Sequence, residues 1–458
     1  MTALNPPRLT VLGLNELNFG FVRAYADAGH LPAFAQLLAG DRIRETTSEG
    51  EYHLLEPWIQ WVTVQTGLPF SDHGVYRLGD IVDHPDLLQI FEDIESRGYR
   101  VGAVSPFNAA NRLDRPAFFV PDPWTQTPAS GGALLRRLSR AVGQAVNDNA
   151  EASVTIGSAA ALASSLAYFP ALGRYGDYAR LAGRITRPGA KAIVLDSLLI
   201  DVFLRETERT RPDLAWLFLN TGAHLQHHYL FNSAAYEGPQ RNPFWYCPDD
   251  VDPLLDVLRV YDLALSKLLA RGGDVLVLTG LHQVPHDHAT YYYRLRDHAN
   301  FLRAVGVDGV ATVTPRMSRD FLVDFDDEAA AARAETTLRA YRMSIDGEPL
   351  FTCDNRGASL FVELAYPREI SPNAAAVADG HPTVSDFAAR VAFVAIKNGE
   401  HHGTGYLAAN YAHDLPARFP LTKVYDHILS RFPTKPAVPV ARPPRDRITT
   451  PGGFHRGS

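Results

Sequence analysis

Leu9-Thr10-Val11-Leu12-Gly13-Leu14-Asn15-Glu16 decides the fold class. The compact, β-prone run fits a strand buried on both faces, and the polar pair Asn15-Glu16 then stands at its C-terminal tip. Apolar residues recur at helical spacing over 19–38, and Gly40 ends the run. Strand, polar tip and helix form the opening unit of a parallel sheet. Ligands of such sheets gather outside the C-terminal strand ends, which makes Asn15 and Glu16 candidate catalytic residues.

The same alternation repeats outward from this unit. A helical pattern over 87–97 stops at Gly98, and a buried strand over 100–104 leads into Ser105-Pro106-Phe107-Asn108. Leu214–Leu219 reads as another strand, ending at Asn220-Thr221-Gly222. A helix over 254–269 closes at Arg271-Gly272-Gly273, and 274–279 is the clearest buried strand of the chain. Repeated βα units predict an α/β fold, a doubly wound, largely parallel sheet sandwiched by helices. The Ala/Leu/Arg-rich stretch 130–210 is expected to be a helical cap inserted over the C-terminal edge of the sheet. The stretch 310–365 reads as antiparallel strands around one helix at 328–342. One domain is expected over 1–433, followed by a Pro/Arg-rich, disordered tail at 434–458.

Composition narrows the function classes. With 46% hydrophobic and 21% charged residues, the chain is not largely disordered. A net charge of −7 offers no global attraction for nucleic acid or an anionic membrane, while leaving room for a local basic pocket. Cys247 and Cys353 are too few for a disulfide framework or a thiolate-rich zinc site. No basic segment leads into an apolar leader at Met1. The longest apolar stretch, 159–172, is broken by Ser164, Ser165 and Pro170 and falls short of the roughly 20 residues of a bilayer span. A cytoplasmic protein is expected.

Histidines cluster at strand ends. His224, His227 and His228 follow the strand ending at Asn220; His282, His286 and His288 follow Thr279; His401 and His402 follow the β-like run 391–396. Spacings of three and four place the first group on one side of a helical turn. Each cluster alone could be chance among 17 histidines, but three at strand ends point to a shared site. Imidazoles with carboxylates suit zinc, manganese or iron, so Glu16, His224, His227, His228, His282, His401 and His402 form the candidate metal set. Glu56 is a candidate acid, base or nucleophile. In Glu56-Pro57-Trp58-Ile59-Gln60-Trp61 the two tryptophans share a helix face, which favours core packing over an aromatic wall for a ring, although Trp58 stays a candidate substrate contact. Arg316 and Arg319 suit an anion clamp as well as a surface ion pair, and Lys397 and Asn398 are candidate substrate donors.

Several segments resemble those of type I phosphodiesterase and nucleotide-pyrophosphatase-like proteins of the alkaline phosphatase superfamily. They are Gly29-His30-Leu31-Pro32-Ala33-Phe34, Thr66-Gly67-Leu68-Pro69 with Asp72-His73-Gly74-Val75, Leu225-Gln226-His227, Thr279-Gly280-Leu281-His282, and His401-His402-Gly403 with Gly405-Tyr406-Leu407, all in family order. The resemblance implies an alkaline phosphatase-like fold and metal-assisted cleavage of a phosphate or sulfate ester. The departures are concentrated in the site. Asn15 stands where that family has its first metal aspartate, and Pro57, beside Glu56, where it has its nucleophile. Ala223 or His224, and Gly280 or Leu281, replace further aspartates. Three readings follow: a hydrolase or transferase on an anionic ester with one metal, a metal-free enzyme acting on a polar metabolite or glycan, and a non-catalytic binding relative.

Overall fold

The computed structural model describes residues 7–40, 42–147, 155–316 and 319–435. Leu9–Leu14 (β1) is buried at every position. It is followed in chain order by β2 (Ile43–Thr47), β3 (Val101–Val104), β4 (Phe118–Val120), β5 (Leu214–Leu219), β6 (Asp274–Leu278), β7 (His282–Leu295) and β8 (Val310–Pro315). Then come β9 (Asp320–Phe325), β10 (Arg342–Met343), β11 (Phe351–Asn355), β12 (Ser359–Leu364), β13 (Ala376–Val377), β14 (Val391–His402), β15 (Thr404–Ala409) and β16 (Arg418–Pro420).

Eight strands form the main sheet in the order β16-β2-β15-β6-β1-β5-β3-β4. β1 pairs in parallel with β5 and β6, and β3 with β4 and β5, whereas β15 runs antiparallel to β6 and β2. The C-terminal ends of β1, β5 and β6 and the N-terminal end of β15 therefore meet at one edge. Alternate residues of each strand face opposite ways. Leu12, Leu217 and Val277 enter one apolar layer with Phe203 and Leu258, while Val11, Trp216 and Leu276 enter the other with Trp61, Phe91 and Val424. Both faces are dry, so the strands read as nearly continuous apolar runs. The expected α/β sandwich is what the chain forms.

The Pro57–Thr66 helix lies under the C-terminal edge. Pro57 fits its first turn, and Gly67, at φ +71°, ends it in the left-handed conformation. Its Trp61 fills a slot shaped by glycine: a Cβ at Gly13 would stand 2.9 Å from Trp61 Cη2.

The 130–210 stretch divides in two. Ala133–Asn147 and Ile156–Tyr168 pack against each other, but Ala190–Thr210 is a core helix rather than part of a cap. Its Leu199, Val202 and Phe203 recur at helical spacing and lock into the sheet layer. The 310–365 segment forms the antiparallel sheet β11-β12-β9-β8 with the Glu328–Ala340 helix, as its pattern predicts. Phe301, Phe321, Val323, Leu338 and Leu360 give it an apolar core of its own, joined to the main sheet by the antiparallel ribbon β7–β14. The tail expected at 434–458 lies outside the described residues from 436 onward. Among the described residues no single helix is long and apolar enough to cross a membrane.

His73 is 2% exposed at the end of the Phe70–His73 turn. Its Nδ1 accepts from the Val75 N–H at 3.1 Å, leaving Nε2–H to face Thr63 Oγ1 at 3.2 Å. Burial, helped by His84, pushes its pKa from 6.5 down to about 4. As pH falls through this window the unfolded chain takes up the proton first, so this stabilisation is complete above 6.5 and is lost towards 4. A His73→Gln variant should show a flatter stability–pH slope in that window by denaturant unfolding, and an unchanged slope would exclude this role.

Candidate metal and acid–base site

Glu16 turns at the tip of β1 with φ +54°, a left-handed conformation uncommon outside glycine and often found at functional turns. The turn carries its carboxylate back under the sheet edge, where the residue is 2% exposed. Asn15 Nδ2 donates to Glu16 Oε1 at 2.9 Å, and Gln283 Nε2 to Oε2 at 2.5 Å. His227 Nε2 and His401 Nε2 stand 2.9 and 3.1 Å from the same Oε2.

Register explains which histidines arrive. On the β7–β14 ribbon His401 lies opposite Gln283, and His402 opposite His282. Neighbouring residues of a strand face opposite ways, so His401 and Gln283 reach Glu16 while His402 and His282 do not. The latter rings stand 4.8 Å apart, with His282 Nδ1 bonded to the Thr404 carbonyl at 2.6 Å. On the Thr221–Tyr229 helix His227 points to Glu16. His224 and His228, four residues apart, instead form their own ring pair at 4.9 Å. Of the expected metal set the structure brings together Glu16, His227 and His401, whereas His224, His228, His282 and His402 lie apart from them.

The Asn15 amide is engaged within the protein and holds Glu16 rather than pointing to an open site. Besides Glu16, its Nδ2 donates to Asn220 Oδ1 at 2.7 Å, and its Oδ1 accepts from Trp61 Nε1 at 2.8 Å. Asn398 is likewise withdrawn from substrate: it is fully buried, and its amide pairs with that of Asn242 at 2.8 and 3.0 Å. Trp58 packs beside the second apolar layer, its Nε1 donating to the Tyr76 carbonyl at 3.0 Å, so core packing prevails there. Arg316 is exposed just beyond β8, its N–H bonded to the Asp320 carbonyl at 2.9 Å. Lys397 lies near enough to act electrostatically on His401, and Arg319 stands 3.8 Å from Glu363. Lys397 Nζ lies 3.8 Å from Glu400, Arg319 stacks over Tyr292 at 4.3 Å, and the two cations feel each other.

Sequence reading missed Gln283 and Gln226. Gln226 Nε2 donates to the Glu16 carbonyl at 2.9 Å, and its Oε1 accepts from Asn18 N–H at 3.0 Å. Each sits inside a histidine cluster, and only their full burial marks them as supports.

Burial opposes the charge on Glu16, but the imidazoles of His401 and His227 outweigh it and hold the carboxyl far below its ordinary range. Burial lowers His401, yet Glu16 lifts it above the usual imidazole value. Glu56 Oε2 lies 3.7 Å from His401 Nδ1, beyond hydrogen-bond reach. Burial, with repulsion from Glu16, pushes Glu56 up to about 7 against the pull of His401.

A divalent cation fits this donor set. The three ligand atoms lie within 4.8 Å of one another. Glu16 Oε2 stands 2.9 and 3.1 Å from the two imidazole nitrogens, a little closer than the roughly 3–3.5 Å between ligands bound to one ion at about 2.0–2.2 Å. The buried His401 Nε2 has no hydrogen-bond partner despite its nearness to Glu16, which leaves it available as a ligand. Two imidazoles and a carboxylate suit zinc, iron or manganese. His286, Asp287 and His288 also cluster, but Asp287 and His288 are exposed and close on each other.

No family model matches this chain, and no curated protein matches it. Among solved structures it is similar to phosphonoacetate hydrolase from Sinorhizobium meliloti 1021 in complex with phosphonoacetate. The identity is 14% and the TM-score 0.44, over 94% of this chain and 96% of that one. It is also similar to murine ectonucleotide pyrophosphatase/phosphodiesterase 5, at 10% identity and a TM-score of 0.40 over the same shares.

Asn15→Ala would leave the Trp61 indole N–H buried without its acceptor. The expected loss is about 1–3 kcal/mol by denaturant unfolding, and a loss below that range would remove Asn15 as the link between Trp61 and Glu16.

Proposed function

We propose that this chain cleaves a small anionic ester, of phosphate or sulfate, as a hydrolase or transferase assisted by one divalent cation. The observation that carries the reading is the convergence of Glu16 Oε2, His227 Nε2 and His401 Nε2 at the strand ends, with Glu56 behind His401. A cation held there would polarise the ester oxygen and acidify water. The protein's residues do the rest. Gln283 and Asn15 fix the Glu16 carboxylate, and the β7–β14 ribbon fixes His401. Glu56 is 31% exposed and its carboxyl is pushed up to about 7 by burial, which suits it to take the proton of an attacking water or acceptor hydroxyl. As the new bond to phosphorus or sulfur forms, the bond to the leaving oxygen breaks, and that oxygen takes up a proton. Lys397 and Arg319 supply positive charge to the anion.

One observation favours a second, metal-free reading. Glu16 Oε2 already faces Gln283, His227 and His401, an arrangement that is electrostatically closed without a cation. The pair could then serve acid–base chemistry on a polar metabolite or glycan.

Elemental analysis of protein purified without a histidine tag or chelator separates the two. About one equivalent of zinc, manganese or iron is expected, lost in Glu16→Ala and His401→Ala but kept in His402→Ala. No metal after incubation with each ion would overturn the first reading, and activity that survives chelation would favour the second. Glu56→Gln should lower kcat on responsive phosphodiesters, phosphomonoesters or sulfate esters by about 10²–10⁴-fold, with metal uptake and Tm unchanged. Full activity would remove Glu56 from the reaction.

A further inference from the structure

The Ile156–Tyr168 helix is dressed the wrong way for water. Of its thirteen residues only Ala161 and Ser165, one turn apart, are buried, and Ser165 returns its hydroxyl to the Ala161 carbonyl at 2.7 Å. Ile156, Ala159, Ala160, Ala163 and Ala167 stand exposed, with Ser164 among them. A surface helix ordinarily carries charge on its wet face. This one carries none: from 152 to 173 the chain has no Asp, Glu, Lys, Arg or His.

At the end of this helix the chain bends by 112° into Leu172–Ala182. The bend is an apolar tip, with Leu172 89% exposed, Tyr168 44% and Tyr175 41%. It is held firmly. Tyr175 Oη donates to the Ala167 carbonyl at 3.0 Å, and behind it Arg174 and Tyr178 bond Asp201 of the core helix at 3.1 and 2.7 Å. A preformed apolar surface of this kind marks a docking site and loses little entropy when its partner arrives.

The charge around the tip selects the partner. The exposed Arg205 guanidinium lies over the Tyr168 ring at 4.1 Å, and Arg209, one turn on, feels the same tyrosine. Among the described residues no carboxylate pairs with Arg205, and Arg180 beyond the tip shares Asp177 with Arg174. From 133 to 187 the sequence sets seven arginines against Asp148, Glu151 and Asp177, in a chain whose net charge is −7. Apolar side chains at a tip, tyrosines beside them and arginines at the rim match the layers of a lipid surface: acyl boundary, headgroup level and phosphate. A second copy seated across a two-fold axis would set these arginines against their own counterparts. Each helical piece is also far shorter than the roughly 20 residues of a span, so the tip fits on a bilayer rather than across it.

We infer that the tip at 168–175 docks on an anionic lipid bilayer, Leu172 entering the headgroup boundary while Arg205 meets lipid phosphate. The inference stands apart from the ester reading and needs no metal. The test floats the full chain with vesicles of phosphatidylglycerol and phosphatidylcholine, and with vesicles of phosphatidylcholine alone. The chain should rise with the anionic vesicles and be released as salt is added. Leu172→Asp should weaken that binding about tenfold or more, with Tm unchanged because the side chain is exposed. Cys247 and Cys353 are both buried, so a polarity-sensitive dye attached through Leu172→Cys reports on that position alone. Its emission should shift to the blue on the anionic vesicles. Absence of flotation, equal flotation with neutral vesicles, undiminished binding in Leu172→Asp or an unshifted dye would each overturn the inference. So would a chain that sediments as a dimer and becomes monomeric in Leu172→Asp, because a second copy would then cover the tip.

Discussion

A buried, ionised carboxylate is among the most expensive groups a fold can contain, and Glu16 persists only because every side of it is met. Amide nitrogens from Asn15 and Gln283, imidazoles from His227 and His401, and the Gln226 donor on its own carbonyl come from four separate elements. Removing any one leaves charge uncompensated in a dry setting, where such losses are steep. The other features of the sheet edge can be read as means of holding those partners in place. Gly13 admits Trp61, Trp61 holds Asn15, and Asn15 aims Glu16. On the far side Asp196 accepts from Tyr261 at 2.6 Å and from Thr221 N–H at 3.1 Å, pinning the start of the helix that delivers His227.

The larger outline was legible because it rests on short-range pattern. The run Leu9–Leu14, its polar tip and the recurring βα alternation each announce a buried parallel strand, and the antiparallel character of 310–365 showed in the same way. Glu16 was legible too, since a charged residue directly after an apolar strand has few places to go. The core helix Ala190–Thr210 was not separated from its neighbours, because Ala/Leu-rich helices look alike until something packs against them.

The gathering of histidines at the strand ends was legible, but which of them meet Glu16 was not. Sequence places His401 and His402 side by side and gives them equal standing, yet strand pairing sends them to opposite faces. Three and four residue spacings likewise group His224, His227 and His228, while the helix rotation needed to choose among them depends on what it packs against. Glutamines carry no signal of chemistry, so Gln283 and Gln226 emerge only with burial and bonding. Asn398 shows the opposite effect: a polar residue beside a histidine pair suggests substrate, but its partner Asn242 is 156 positions away in sequence.

The β7–β14 ribbon has two breaks in its pairing, between Phe393 and Ala395 and between Lys397 and Gly399. At the first break β14 carries the extra residue, at the second the extra residues lie on β7 between Pro285 and Thr290, and each odd offset resets the phase of one strand against the other. The ribbon thus works as a two-position selector. With both breaks in place, an amide and one imidazole face the carboxylate. With one residue removed from that stretch, the phase would invert and His402 would take the position of His401. A single-codon deletion far from the carboxylate could therefore exchange one set of side chains for another without altering any of them, a route by which a sheet edge of this kind could change its chemistry in one step.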